Sequence, residues 1–230
     1  MKRFRILVAL FVIVVFSGLV FAVSEKGQEA MQKLMDGNKR FVSGTLAQKD
    51  LGAKKREELA KGQKPFATVL TCSDSRVPPE LLFDQGLGDI FVVRVAGNVV
   101  DPIALGSIEY AAEHLGSPLV LILGHSKCGA VKATLESKGK PEGNIGAIVK
   151  KIMPAVDAAK KKGGTQDEIL ETAIKENVKN VYADVMKNSK IIPHLVEEGK
   201  LMIVAGEYDI TTGKIEMIEL PKIASAKGKH

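Results

Sequence analysis

Residues 66–79 read Phe66-Ala67-Thr68-Val69-Leu70-Thr71-Cys72-Ser73-Asp74-Ser75-Arg76-Val77-Pro78-Pro79. An apolar, β-branched run stops at a cysteine, crosses a polar turn and meets two prolines. Proline is tolerated in the first helical turn, where its missing N–H is not needed, so the stretch reads as strand, turn and short helix. The same grammar returns some fifty residues later. Leu119-Val120-Leu121-Ile122-Leu123 runs into Gly124-His125-Ser126-Lys127-Cys128-Gly129, and a helix is expected from about Cys128. Strands that alternate with helices predict an α/β fold with a mainly parallel sheet.

Outward from these stretches the remaining elements follow. Residues 24–48 carry Ala30, Leu34, Met35 and Phe41 at helical spacing, which predicts an amphipathic N-terminal helical arm. Residues 50–61 read as a short charged helix. Residues 89–96 are nearly continuously apolar, as in a strand covered on both faces. Asp101-Pro102 is an N-cap followed by a proline at the first helical position, opening a helix to about His114. Residues 144–162 are amphipathic, with a kink or break expected at Pro154. Thr165-Gln166-Asp167-Glu168 matches a capping box at the head of a long helix. A short helix at 191–198, a fourth strand at 201–205, a hairpin turn at 211–214 and an antiparallel edge strand at 215–220 complete the chain. The expectation is a central sheet of about four mainly parallel strands plus an antiparallel edge strand, flanked by helices.

Composition narrows the class. The chain has 230 residues, no tryptophan and a formal charge of +6. Three of its 33 basic residues are Lys2, Arg3 and Arg5, against 27 acidic residues overall, so the rest is only mildly basic. Lysines at 150–162 and 222–229 read as solvated faces, and no nucleic-acid partner is expected. Residues 1–22 read as a secretory signal. A basic start precedes an apolar run, and Val20-Phe21-Ala22 offers a cut after Ala22. The alternative is an uncleaved anchor, since the apolar stretch reaches the lower limit of about 18 residues for spanning a bilayer. The expected organisation is a signal at 1–22, one catalytic domain at 23–220 and a basic tail at 221–230. The expected location is periplasmic or otherwise exported, without stable membrane insertion after cleavage.

The two cysteines are the only ones present. In an oxidising compartment a disulfide is the alternative. Their turns, however, also hold His125, Asp74 and Arg76, which a disulfide does not need. In open α/β sheets ligands bind beyond the carboxyl ends of strands. Cys72, His125 and Cys128 therefore read as three zinc ligands, with one zinc ion per subunit and a fourth position open. Two thiolates make a zinc ion a weaker Lewis acid, so a helper is needed. Asp74 suits that role, accepting a hydrogen bond from a water there, and Arg76 suits pairing with Asp74 to hold it off the metal. If Arg76 lets go, Asp74 becomes a candidate fourth ligand in a closed form. Other readings stand beside this one. Asp74 and Arg76 suit a plain ion pair, and Cys128 suits a nucleophile with His125 as base. A phosphatase loop does not fit, because position 78 is proline.

Residues 72–78 and 124–129 resemble the two signature motifs of the β-class carbonic anhydrases. The likeness runs from Gly37-Asn38-Lys39-Arg40-Phe41 to Tyr208-Asp209-Ile210-Thr211-Thr212-Gly213. It implies reversible hydration of CO2 to bicarbonate by a metal-activated hydroxide. Cys72, His125 and Cys128 are then the ligands, with Asp74 and Arg76 the catalytic pair. It also implies a narrow apolar substrate pocket, whose walls match Phe91, Ala96 and Tyr110, and an amide that matches Gln63. A homodimer or higher even oligomer that shares its cleft through N-terminal helices is implied as well. Some members carry a bicarbonate-inhibited pocket with a Trp–Arg–Tyr set. Here the tryptophan position is Val69, while Arg94 and Tyr208 match the others, so that pocket is expected to be absent or altered, with Asp74 resting on Arg76. The motifs also fit related zinc hydrolases acting on carbonyl sulfide or carbon disulfide, and, in another class, a non-catalytic zinc-binding module.

Overall fold

The computed structural model describes residues 24–137, 141 and 143–221. The expected signal at 1–22 and the tail beyond Pro221 lie outside the described residues. Five strands form one sheet in the order β2-β1-β3-β4-β5. They are β1 (Ala67–Thr71), β2 (Ile90–Arg94), β3 (Leu119–His125), β4 (Met202–Tyr208) and β5 (Ile215–Ile218). The first four pair in parallel and β5 runs antiparallel on β4, as the strand–helix alternation predicts.

Pleating sends alternate side chains to opposite faces. Leu119, Leu121 and Leu123 of β3 pack with Val69 and with Leu34 of α1 (Glu25–Ser43). Val120 and Ile122 pack on the other face, against α4 (Pro102–Glu113), α7 (Gln166–Asn188) and α8 (Ile191–Glu197). All seven residues of β3 are buried, which explains why the sequence there is an apolar run rather than an alternation.

Local chemistry sets the helix ends. Ser24 caps α1 by accepting from the Gly27 N–H at 3.1 Å. Gly44, with φ 71°, ends it, so the expected helix at 24–48 stops at Ser43. The close approach of α1 to α3 (Pro79–Leu82) and its C-terminal cap depends on Gly37, since a Cβ there would lie 1.7 Å from the Phe83 carbonyl oxygen. α2 (Ala53–Leu59) is shorter than the charged stretch that contains it and has no fully buried residue. The Thr165 capping box of α7 is present in both directions. Asp101 caps α4 through the Ala104 N–H at 2.8 Å.

Several elements differ from the sequence pattern. α6 (Ile145–Lys162) runs unbroken through Pro154. An internal proline costs about 3 kcal/mol, but Ile152, Ala155 and Val156 on either side are fully buried, and each large apolar side chain returns about 2 kcal/mol. β3 and β4 reach two and three residues further than their apolar runs, because they pair without interruption from Leu119↔Met202 to His125↔Tyr208. β5 ends at Ile218 instead of 220. No helix among the described residues is long and apolar enough to cross a membrane.

Candidate metal centre

β1 and β3 are adjacent and parallel, with Thr71 level with Leu123. Their carboxyl ends therefore deliver Cys72 and His125 to the same edge of the sheet. Cys72 lies one residue past β1, while His125 is itself the last residue of β3. Cys128 is the N-cap of α5 (Gly129–Glu136). The ligand atoms of Cys72, His125 and Cys128 all lie within 4.8 Å of one another, and all three residues are buried. Both cysteines are free, so the disulfide alternative is not realised.

These donors fit zinc. The His125 Nδ1 is 2.9 Å from the Ser126 carbonyl oxygen. That contact requires Nδ1 to carry the proton, which in the neutral imidazole leaves Nε2 with a bare lone pair. Nε2 is buried and has no hydrogen-bond partner, a costly arrangement unless a Lewis acid takes the lone pair. The sulfurs argue the same way. The Cys128 thiol donating to Cys72 pulls the Cys72 thiol well down, whereas the Cys72 sulfur beside Cys128 pushes that thiol up. One negative charge is stable in this space and two are not, unless a cation joins them. Two sulfurs and an imidazole nitrogen make a zinc donor set with a position to spare.

A surrounding layer holds the donors. The Gly97 N–H donates to the Cys72 sulfur at 3.2 Å. Gly97 has φ 70° and sits in a single turn of 3-10 helix at Ala96–Asn98. A Cβ there would come within 2.6 Å of Ile152, so only glycine brings this amide to the sulfur. Asn177 of α7 donates to the Gly97 carbonyl at 2.8 Å. Arg94, at the end of β2, donates to the carbonyls of Cys72 (3.0 Å) and Asp74 (2.6 Å). Gly97, Asn177 and Arg94 were not read from the sequence as supports of the metal ligands. A signal for one existed: Asn177 interrupts the apolar face formed by Ile174, Val178 and Val181, and it is fully buried.

Asp74 and Arg76 form a two-pronged ion pair. Arg76 Nε donates to Asp74 Oδ1 at 2.9 Å, Nη2 to Oδ2 at 2.7 Å, and the Arg76 N–H to Oδ1 at 2.9 Å. The Arg76 guanidinium holds the Asp74 carboxyl well below the usual carboxylate range, against the opposing effect of burial. Asp74 Oδ2 lies 3.9 Å from His125 Nε2, so the carboxylate stands beside the donor cluster while its lone pairs are turned to Arg76.

The pocket residues are less gathered. Ala96 is adjacent to Gly97 and hence to Cys72. Phe91 on β2 is half-buried, and its ring lies 6.3 Å from that of the exposed Tyr110 on α4. Gln63 is not brought to the cluster within one chain. It lies before the amino end of β1, among Lys61, Gly62, Leu87 and Gly88, whereas Cys72 follows the carboxyl end. A five-residue strand separates the two ends by about 16 Å. Val69 is a core residue, Tyr208 is buried opposite His125, and Arg94 is engaged by the Cys72 loop.

One buried acid was invisible in the sequence. Glu207 on β4 is level with Gly124 and has an unpartnered Oε1. Burial, then the neighbouring Glu171, push its carboxyl up to about 7, with Lys175 opposing. Glu207 is thus neutral in both folded and unfolded chains below about 4.3. Between there and about 7 the unfolded chain ionises first, so stability falls as pH rises. Glu207→Gln should leave the melting temperature unchanged near the acid end and raise stability above neutrality by on the order of 2 kcal/mol. Thermal melts of both proteins across pH measure this, and a gain of equal size at every pH would show that ionisation is not the cause.

Comparison with known proteins adds four findings. A family model described as carbonic anhydrase matches residues 67–215. A carbonic anhydrase of Mycolicibacterium smegmatis is 40% identical over 191 residues, covering 82% of this chain and 91% of the relative. Among solved structures, a tetrameric β-carbonic anhydrase of Sordaria macrospora matches with a TM-score of 0.66 and 27% identity, over 71% of this chain and 85% of that one. The β-carbonic anhydrase CafA of Aspergillus fumigatus matches with a TM-score of 0.68 and 25% identity, over 86% and 93%.

Proposed function

This chain belongs to the β-class carbonic anhydrase family, and from that premise we propose that it interconverts CO2 and bicarbonate at the Cys72–His125–Cys128 centre, with Asp74 and Arg76 as its catalytic pair. The observation that carries the reading is the convergence of two sulfurs and one imidazole within 4.8 Å, beside a carboxylate clamped by an arginine. Cys72, His125 and Cys128 would hold a zinc ion, which when bound supplies a Lewis-acidic position that lowers the pKa of water towards ~7.

The chain's own residues do the rest. Asp74 stays ionised beside Arg76, so it serves as a hydrogen-bond acceptor that orients the reacting water rather than as the final proton store. Arg76 occupies the lone pairs that Asp74 would otherwise offer to the metal. The Gly97 amide and the Arg94 guanidinium hold Cys72 and its loop while charge shifts at the donors. The net reaction joins the hydroxide of a water to the carbon of CO2 and releases the remaining proton. Phe91, Ala96 and Tyr110 provide apolar surface suited to a substrate without charge. Gln63 reaches a site only if a second copy presents it, which accords with a homodimer or higher even oligomer.

Export is part of the same reading and rests on residues 1–22. A mature chain beginning at Val23 in a periplasmic extract would support it, and an intact leader would count against cleavage. The activity is tested by stopped-flow CO2 hydration on zinc-replete protein at mildly alkaline pH, with carbonyl sulfide and carbon disulfide assayed alongside. Fast hydration of CO2 is expected. Absence of hydration at full zinc occupancy would reject the reading, and turnover of a sulfur substrate alone would move the chain to the related hydrolases.

A further inference from the structure

Lys127 sits between two of the metal donors with φ 54°, in the left-handed region that residues with side chains seldom adopt. Its peptide groups are held from two directions. The N–H donates to Glu171 Oε1 of α7 at 3.4 Å, and the carbonyl accepts from Arg76 Nη2 at 3.4 Å. The side chain reaches Thr211 Oγ1 at 3.5 Å. Glu171 neighbours the buried Glu207, which Lys175 approaches to 3.5 Å.

We propose that Glu171 is a positioning residue for the Asp74–Arg76 pair, fixing the Lys127 peptide whose carbonyl anchors the Arg76 guanidinium. The inference rests on the role given to Asp74 and Arg76 above. Arg76 is half-exposed, and its Nε and Nη2 donate to Asp74 while Nη2 also reaches the Lys127 carbonyl. Without the Lys127 carbonyl the guanidinium is less restrained, and of the bonds that hold the Asp74 carboxylate only the one from the Arg76 N–H stays fixed by the backbone. Glu171 touches neither the donors nor a substrate. It acts two residues removed, through a backbone conformation that needs outside support to persist.

The test uses the zinc-loaded full chain with Glu171→Ala, Glu171→Gln and, as a control on the same helix, Glu176→Ala, which removes ion pairs to Lys162 and Lys179. Zinc content, melting temperature and kcat/KM for CO2 are measured, together with the visible spectrum of each cobalt(II)-substituted protein. Glu171→Ala is expected to keep its zinc and lose about five- to tenfold in kcat/KM, the scale of a small misplacement. Its cobalt bands should shift as Asp74 becomes free to turn to the metal. Glu171→Gln should restore both, because its amide oxygen still accepts from the Lys127 N–H, and Glu176→Ala should match the parent. An alanine variant equal to the parent in rate and spectrum overturns the inference. So does a glutamine variant as impaired as alanine, since charge rather than the acceptor would then be responsible. Loss of zinc in the alanine variant overturns it in favour of support for the ligand loop. If Asp74→Asn keeps full rate, the functional reading fails first, and the cobalt spectra of the Glu171 variants still report on the link to Arg76.

Discussion

Replacing Cys128 with serine is expected to strip the protein of its metal. Zinc measured after dialysis should fall from about one ion per chain to less than about a tenth of that, and CO2 hydration should fall to background, since structural and catalytic zinc sites rely on thiolate and imidazole donors. The substitution is small, and serine is a better N-cap than cysteine. α5, which begins at Gly129, should therefore keep its helical content in circular dichroism, and the loss can be traced to the sulfur. The remaining donors, Cys72 and His125, are one sulfur and one nitrogen, too few for tight binding. Undiminished zinc in the serine variant would mean that the buried cluster is not the metal centre.

Asp74→Asn separates chemistry from metal binding. The amide matches the carboxylate in shape but offers one acceptor oxygen in place of two, so the two-pronged clamp by Arg76 cannot form. Zinc content should stay at the parent level, because Asp74 is not among the three donors. Stability should change little, since the Arg76 side chain is half-exposed and ion pairs of that kind contribute about 0–1 kcal/mol. The hydration rate should fall by about a hundredfold or more, the usual size of a lost acid–base or orienting group. A variant with full zinc and full rate would remove Asp74 from the mechanism.

The two effects contrast in kind because a metal donor and the acid–arginine pair beside it have different tasks. In the proposed function the cysteines hold the metal through their sulfurs, and Asp74 orients the reacting water beside it. Glycine at 97 and arginine at 94 serve the first task from other elements. In the proposal above, Lys127 and Glu171 serve the second through the Arg76 guanidinium.

Much of this is legible in the amino-acid sequence. The order of strands and helices, the capping box at Thr165, the Asp101-Pro102 helix start and the three donors all follow from local rules about propensity, capping and ligand chemistry. Such rules act over a few residues, so a linear sequence displays them directly. What only the tertiary structure decided depends on groups distant along the chain. β3 and β4 extend beyond their apolar runs because each supplies the other's hydrogen bonds, and α6 passes Pro154 because its neighbours are buried against other helices. Gln63 is close to Cys72 in sequence yet lies at the other end of β1, since a strand converts sequence distance into length. Glu207 is an ordinary acid by composition, and its raised pKa arises from burial next to Glu171, a residue thirty-six positions away. The sequence by itself determined which atoms bind the metal and which pair stands beside it. The fold decided how far apart those atoms sit and what braces them, because packing and dielectric surroundings exist only once separate segments meet.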